Sequence, residues 1–213
     1  MGFAFNSIVF KKMTVKKAVL LIAALPVCFI LIASVHGIID SRLKNYQASD
    51  LLIDRSYAFI AALENDKGEF GFWTISDTLP ENLRLATFAA EDRRFGYHFG
   101  MDIHAAGRAF VNNYIRKKNY SGASTIAMQV ARLQHGGNSG WYYKIHDAVS
   151  AVCLTLLYGR ERVLKQYFTI APYGNRISGA ACASQRYFQK PLRDISFAEA
   201  ALLAALPKAP SRM

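Results

Sequence analysis

The stretch AAEDRRFGYHFGMD, Ala89–Asp102, decides the reading of this chain. An apolar run ends in two acids, Glu91 and Asp92. Two arginines follow, then His98 and a turn bounded by Gly96 and Gly100. A carboxylate so placed can act as a base in a cleft crowded with positive charge. Such a cleft suits a substrate that carries anionic phosphates. A second motif, SGASTIAMQVARL at Ser121–Leu133, stands about 30 residues later, one supersecondary unit away.

Working outward, the periodicity on both sides is helical. Leu83, Leu85, Phe88 and Ala89 recur on one face that leads into Glu91. Asp102 is placed to cap a following helix with Ile103, Ala106, Phe110 and Tyr114 turned inward. Ser124 or Thr125 can cap the next, through Leu133. Gln134 to Gly140 is a glycine-rich loop. Tyr142 to Tyr158 reads as a long, mostly buried helix, continued by Glu161 to Ile170 until Pro172 and Gly174 end it. Ser178 to Tyr187 and Ser196 to Leu206 are two more, the last with Glu199 in the capping-box position. Before Glu81, Tyr57–Leu63 and Phe70–Ile75 flank the turn Asp66-Lys67-Gly68 and predict a small hairpin. The fold class is mainly α.

The N-terminus predicts location. Lys11, Lys12, Lys16 and Lys17 precede AVLLIAALPVCFILIASVHGII, Ala18–Ile39, an uncharged run. A bilayer-spanning helix needs about 20 such residues, and lipid-embedded helices tolerate a proline such as Pro26. No small-x-small cleavage site closes the run, so an uncleaved anchor is expected rather than a signal peptide. The lysines then stay in the cytoplasm and Asp40 onward lies outside it. The expected division is a basic tail (1–17), a transmembrane anchor (18–39), a linker with the hairpin (40–80) and a helical domain (81–213) that stops early at its C-terminus.

The 213 residues carry a net charge of +11, which favours anionic partners. The membrane topology argues against nucleic acid among them. The three cysteines, Cys28, Cys153 and Cys182, show no metal-ligand spacing and read as buried free thiols. No cluster of metal-ligating residues is visible.

From about Leu85 onward the chain resembles the peptidoglycan glycosyltransferases of glycosyltransferase family 51, the transglycosylase domains of class A penicillin-binding proteins and the monofunctional transglycosylases. That family's first motif is matched by Glu91, Asp92, Phe95, His98, Gly100 and Asp102. Its second is matched by Gly122, Ser124, Thr125, Ile126 and Gln129, with departures at Ala123, Ala127 and Met128. MQVARL, APYG and the ending ALPKAPSR look most like the 1C branch. The third motif departs further: Tyr143 stands where the family has arginine, and Asp147 where it has glutamate, while Lys144 is kept.

The resemblance implies a lysozyme-like fold, attached to the inner membrane of a bacterium by a single span with the catalytic domain outside the cytoplasm. It implies polymerisation of lipid II into β-1,4-linked glycan, with inversion and release of the lipid pyrophosphate. Glu91 is the implied general base, and Asp147 the second implied catalytic residue, which can orient Lys144 or a metal. Asp92, Phe95, His98, Ser124, Thr125, Gln129, Arg132 and Lys144 are the implied substrate-binding residues. A pyrophosphate's developing charge calls for cations, and Arg132 and Lys144 are expected to supply them. A divalent cation, Mg or Mn, is an expected aid there. Expected partners are lipid II, the growing strand, membrane lipids touched by Arg108, Arg116, Lys117 and Lys118 with Phe110, Tyr114 and Tyr120 between them, and other cell-wall synthesis proteins.

Two alternatives stand beside this one. The altered third motif suits an impaired relative that binds lipid II or scaffolds synthases. The fold can also host a lytic, lysozyme-like hydrolase, which would need an acid for the leaving oxygen rather than pyrophosphate cations. Residue by residue, Glu91 and Asp92 could instead pair with Arg93 and Arg94 on a solvated face, and Ser124 could serve as a cap alone. No Lys-Thr-Gly is present for transpeptidase chemistry.

Overall fold

A computed structural model describes residues 15–56, 59–75, 78–112 and 122–208, without the side chains of 15–23, Phe110 and Lys208. The described chain is mainly helical. Helix α1 spans Val15–Ile39, α2 Glu81–Glu91, α3 Ile103–Phe110, α4 Ile126–Gln134, α5 Trp141–Ile170, α6 Ala180–Phe188 and α7 Phe197–Ala205. Four short strands complete it: β1 (Leu51–Ile53), β2 (Phe59–Ala62), β3 (Phe70–Gly71) and β4 (Ile177–Ser178).

Helix α5 is the axis of the domain. Its backbone breaks at Gly159 (φ 78°, ψ 158°), which separates the two helical segments expected from the sequence. Leu154, Val163, Leu164, Tyr167 and Phe168 on α5 are fully buried with Ile126 and Val130 of α4, Leu83 of α2 and Leu203 of α7. Burying one such aliphatic or aromatic side chain is worth roughly 1.5–3 kcal/mol, so this shared core holds α4 against α5 and α2 against α7. The caps agree with the sequence. Asp102 accepts from Ala105 N–H at 3.0 Å. Thr125, not Ser124, caps α4, accepting from Met128 N–H at 3.2 Å. Ser196 and Glu199 form the expected capping box on α7.

The expected hairpin is re-partnered. Phe59–Ala62 pairs antiparallel with Leu51–Ile53 rather than with Phe70–Ile75. The turn at Asp66–Gly68 does form, closed by Asn65 N–H on Glu69 O (2.9 Å). Its second arm instead joins residues 177–178 as a parallel pair. Local alternation identifies a strand but not its mate when a distant segment competes. Leu85 and Ile103, expected inside, are exposed. Helix α6 starts at Ala180, because Ser178 belongs to β4. Of the cysteines, all free, Cys182 is buried, Cys153 half-buried and Cys28 exposed.

The C-terminal half of α1 lies along the first half of α5. Gly37 makes this possible: a Cβ there would sit 2.7 Å from His146 O, so only glycine lets the two backbones approach. Ser150 Oγ donates to Gly37 O at 2.8 Å. Elsewhere this helix presents Leu25, Phe29, Ile32, Val35 and Ile39 outward. Among the described residues no helix is long and apolar enough to cross a membrane. The described side chains of α1 begin at Ala24, and the expected span at Ala18–Ile39 lies partly outside them.

Candidate functional site

Glu91 is the last residue of α2. Its carboxylate Oε2 accepts a hydrogen bond from Gln129 Nε2 of α4 at 2.8 Å. Asp92, next in the chain, is buried and ties two elements together. Its Oδ2 accepts from the Ile126 N–H at the start of α4 (3.1 Å). His98 Nε2 lies 2.9 Å from Oδ1 and 3.1 Å from Oδ2. The pairing of Glu91 and Asp92 with Arg93 and Arg94 is not the arrangement found. Arg94 faces Asp102 at 3.7 Å, and Arg93 Nε donates to Ala89 O.

The turn after His98 is pinned against α5. Arg160 donates to His98 O through Nε (3.1 Å) and Nη2 (3.0 Å), and its guanidinium stacks over Phe99. Gly100 has φ 93°, and a Cβ there would lie 2.3 Å from Ala151 O, so the turn demands glycine. Thr125 Oγ1 donates to Gly100 O. The first motif is therefore locked to both α4 and α5 by its own acid, histidine and glycine.

Two cavities meet at Glu91. One, of about 630 Å³, is walled by Ser124, Gln129, Arg132, Lys144 and Asp147, with the loop 137–140 on its rim. The other, of about 460 Å³, is walled by Asp92, Arg93, Arg94, Arg108 and Thr125. Glu91 and Ser124 line both. Both cavities carry arginine, as expected for phosphate-bearing ligands.

Of the predicted site residues, Glu91, Ser124, Gln129, Arg132, Lys144 and Asp147 share the first cavity, while Asp92 and Thr125 line the second. Two predicted residues stand outside both cavities. Phe95 is a core residue stacked on Phe88, with ring centroids 4.9 Å apart, and lines neither cavity. His98 lines neither cavity and holds Asp92. Both shape the site from behind. The basic segment 116–118 with Tyr114 and Tyr120 lies outside the described residues.

In the third motif, Lys144 and Asp147 have separate partners. Lys144 Nζ sits 4.9 Å over the Trp141 ring, while Asp147 Oδ1 is 3.3 Å from His146 Nδ1. Burial pushes the Asp147 carboxyl above its ordinary value, against the opposing pull of His146 and the Arg132 guanidinium. Behind Glu91 stand two buried phenols that the sequence reading passed over. Tyr167 and Tyr173 are both raised, chiefly by burial, with the negative charge of Glu91 contributing. The reading also passed over Asp40, His135 and His146, whose donor atoms lie within 4.8 Å of one another. They come from three separate elements, so no spacing rule could have gathered them.

A family profile described as Transglycosylase matches residues 58–213. The chain is similar to penicillin-binding protein 1A of Neisseria lactamica, with 42% identity over 141 residues that cover 66% of this chain and 18% of that protein. The protein of the same name from Neisseria gonorrhoeae is 41% identical over 141 residues. The biosynthetic peptidoglycan transglycosylase of Citrobacter koseri is 36% identical over 152 residues, covering 68% of this chain and 63% of that protein. The chain thus spans 18% of the first relatives' length and 63% of the last one's.

Proposed function

The chain belongs to the transglycosylase family, and from that premise we propose that it is a membrane-anchored peptidoglycan glycosyltransferase that polymerises lipid II. The observation that carries this reading is the position of Glu91 as the shared wall of two cavities that each carry arginine. A transferase must hold donor and acceptor at once, with a base at their junction.

In this mechanism the donor's pyrophosphate lies in the cavity of Arg132 and Lys144, and the acceptor enters the other lobe. A sugar hydroxyl is a weak nucleophile, so its proton passes to Glu91 as its oxygen attacks the donor's anomeric carbon. The new C–O bond forms as the bond to pyrophosphate breaks, on the opposite face, and configuration inverts. The pyrophosphate leaves with the bond's electron pair, met by Arg132 and Lys144. Glu91 then returns its proton to solvent. Gln129 holds one oxygen of Glu91.

A divalent cation fits the same cavity. Its carboxylates are hard oxygen donors, and Mg²⁺ is commonly held by one or two carboxylates with substrate phosphates. Asp147 would hold such an ion, which would supply further charge neutralisation when bound. The apolar outer face of α1, preceded by Lys16 and Lys17, supports an anchor at Ala18–Ile39. Exposed Tyr97 and Ile103, near Arg108 in the chain, suit contact with the bilayer surface. A second reading, a slow relative that binds lipid II or scaffolds other synthases, is favoured by one observation: Asp147 faces His146 and not Lys144.

The test is lipid II polymerisation by the purified full chain. The wild type is expected to give glycan product, and Glu91→Gln to lower the rate by about 10²–10⁴-fold without loss of helix content. A folded wild type that binds lipid II but yields no polymer supports the second reading. Release of short sugars from finished peptidoglycan supports a lytic enzyme.

A further inference from the structure

The end of α1, the end of α4 and the start of α5 converge on Asp40, His135 and His146. His146 Nε2 is 3.2 Å from Asp40 Oδ2, and His135 Nδ1 is 3.8 Å from the same oxygen. The two imidazoles meet edge to face, with centroids 4.4 Å apart. These separations bracket about 3.4 Å, the edge of a tetrahedron with zinc–ligand bonds of about 2.1 Å. His146 is buried, while Asp40 and His135 are half-buried, which leaves a way in from solvent.

His146 stands between two carboxylates. Its Nδ1 lies 3.3 Å from Asp147 Oδ1 and its Nε2 3.2 Å from Asp40 Oδ2. A positive charge satisfies both contacts, whether a second proton on the ring or a metal ion on Nε2. Lys44 Nζ, nearby, donates to Gln134 O at 2.6 Å. A carboxylate on the far nitrogen of a ligating histidine is the usual support of a metal site, since it fixes the tautomer and raises ligand basicity. Asp147 stands in that position. His135 Nε2 is a further buried nitrogen with no hydrogen-bond partner.

We infer that Asp40, His135 and His146 form a site for one divalent transition-metal ion, with zinc the best match. Two imidazoles and one carboxylate suit Zn²⁺ and disfavour Mg²⁺, and water would complete the tetrahedron. The ion fastens the end of α1 to the α4–α5 junction. Through His146 it also orients Asp147, a wall of the larger cavity. This site is separate from the phosphate cations of the proposed reaction and does not depend on that reaction.

The experiment uses the full chain without an affinity tag, in detergent micelles, stripped with a chelator that is then removed. Zinc chloride is titrated by calorimetry and the bound metal counted by elemental analysis. One zinc per chain is expected, with a rise in the unfolding temperature. Asp40→Asn and His135→Ala should each weaken binding at least about 10-fold, the scale on which metal sites respond to lost partners. Both residues are partly exposed, so the variants should keep wild-type helix content. His135→Cys should restore binding, because a thiolate is also a zinc ligand, which a purely packing role would not predict. Zinc bound equally well by Asp40→Asn and His135→Ala would overturn the site. So would zinc lost only on Cys153→Ser, Mg²⁺ binding as tight as zinc, or a folded wild type that takes up no zinc.

Discussion

At the scale of single residues, Asp92 and Glu91 divide the labour of an acidic pair. Glu91 lines both cavities, while Asp92 lines one and also ties elements together, accepting from Ile126 N–H and holding His98. Asp92→Ala would leave two buried groups without partners, at about 1–3 kcal/mol each. The variant should unfold at clearly lower temperature by calorimetry. It should also lose activity, since Gln129 and Arg132 ride on the helix it releases. Asp92→Asn, which keeps an acceptor, should fall between it and the wild type. The roles of these neighbours were only half legible in the sequence. The motif marks both acids, but which one turns inward depends on where α4 begins in space. Phe95 is a like case: the motif marks it, but only the fold shows that it stacks on Phe88. The Asp40–His135–His146 group was invisible because it exists only after three elements meet.

At the scale of elements, caps and breaks were the most legible features, because their chemistry is local. Asp102, Thr125 and Ser196 all cap as their residue types suggest. Strand partners were not legible, since β3 and β4 are distant in sequence and each is only two residues long. The α7 cap carries a pH signature. Glu199 accepts from Lys190 Nζ (2.7 Å) and Ser196 N–H (2.7 Å). These hold its carboxyl down at about 2, from an ordinary 4.5, the lysine hydrogen bond first. A depressed carboxyl pKa stabilises the fold fully above the unfolded value and loses that contribution as pH falls through the folded one. Between pH 4.5 and about 2, then, wild type should lose unfolding temperature faster than Glu199→Gln. Above pH 6 the gap between the two curves should stay constant. Parallel curves through the acid range would show that the pair contributes nothing, as exposed pairs often do.

At the scale of the whole molecule, α1 is part of the domain and not a loose leash. Its last turns lie on α5, Gln134 accepts from Lys44 N–H and donates to Arg42 O, and Ser49 accepts from Trp73 Nε1–H and Gly71 N–H. Gly37→Leu places a side chain where the His146 carbonyl already stands. It should separate α1 from α5, speed proteolysis within residues 40–50 in micelles by several-fold, and lower the unfolding temperature. Gly107→Ala, on open surface in α3, is the control: it should leave proteolysis unchanged and raise the unfolding temperature slightly, as alanine favours a helix over glycine. The general plan, an apolar helix leading into a helical body, was legible from charge and periodicity. Its docking was not, because it turns on one missing methyl group.

The pairing of β3 with β4 has a consequence for biogenesis. Residues 70–71 are synthesised early, yet their mates at 177–178 emerge more than a hundred residues later. Contacts that close so long a loop form late. While the ribosome is still at work, the stretch around Phe70 waits with open amide edges, and such edges invite intermolecular association. The nascent polypeptide is thus most in need of chaperones between the birth of α2 and the arrival of Ile177.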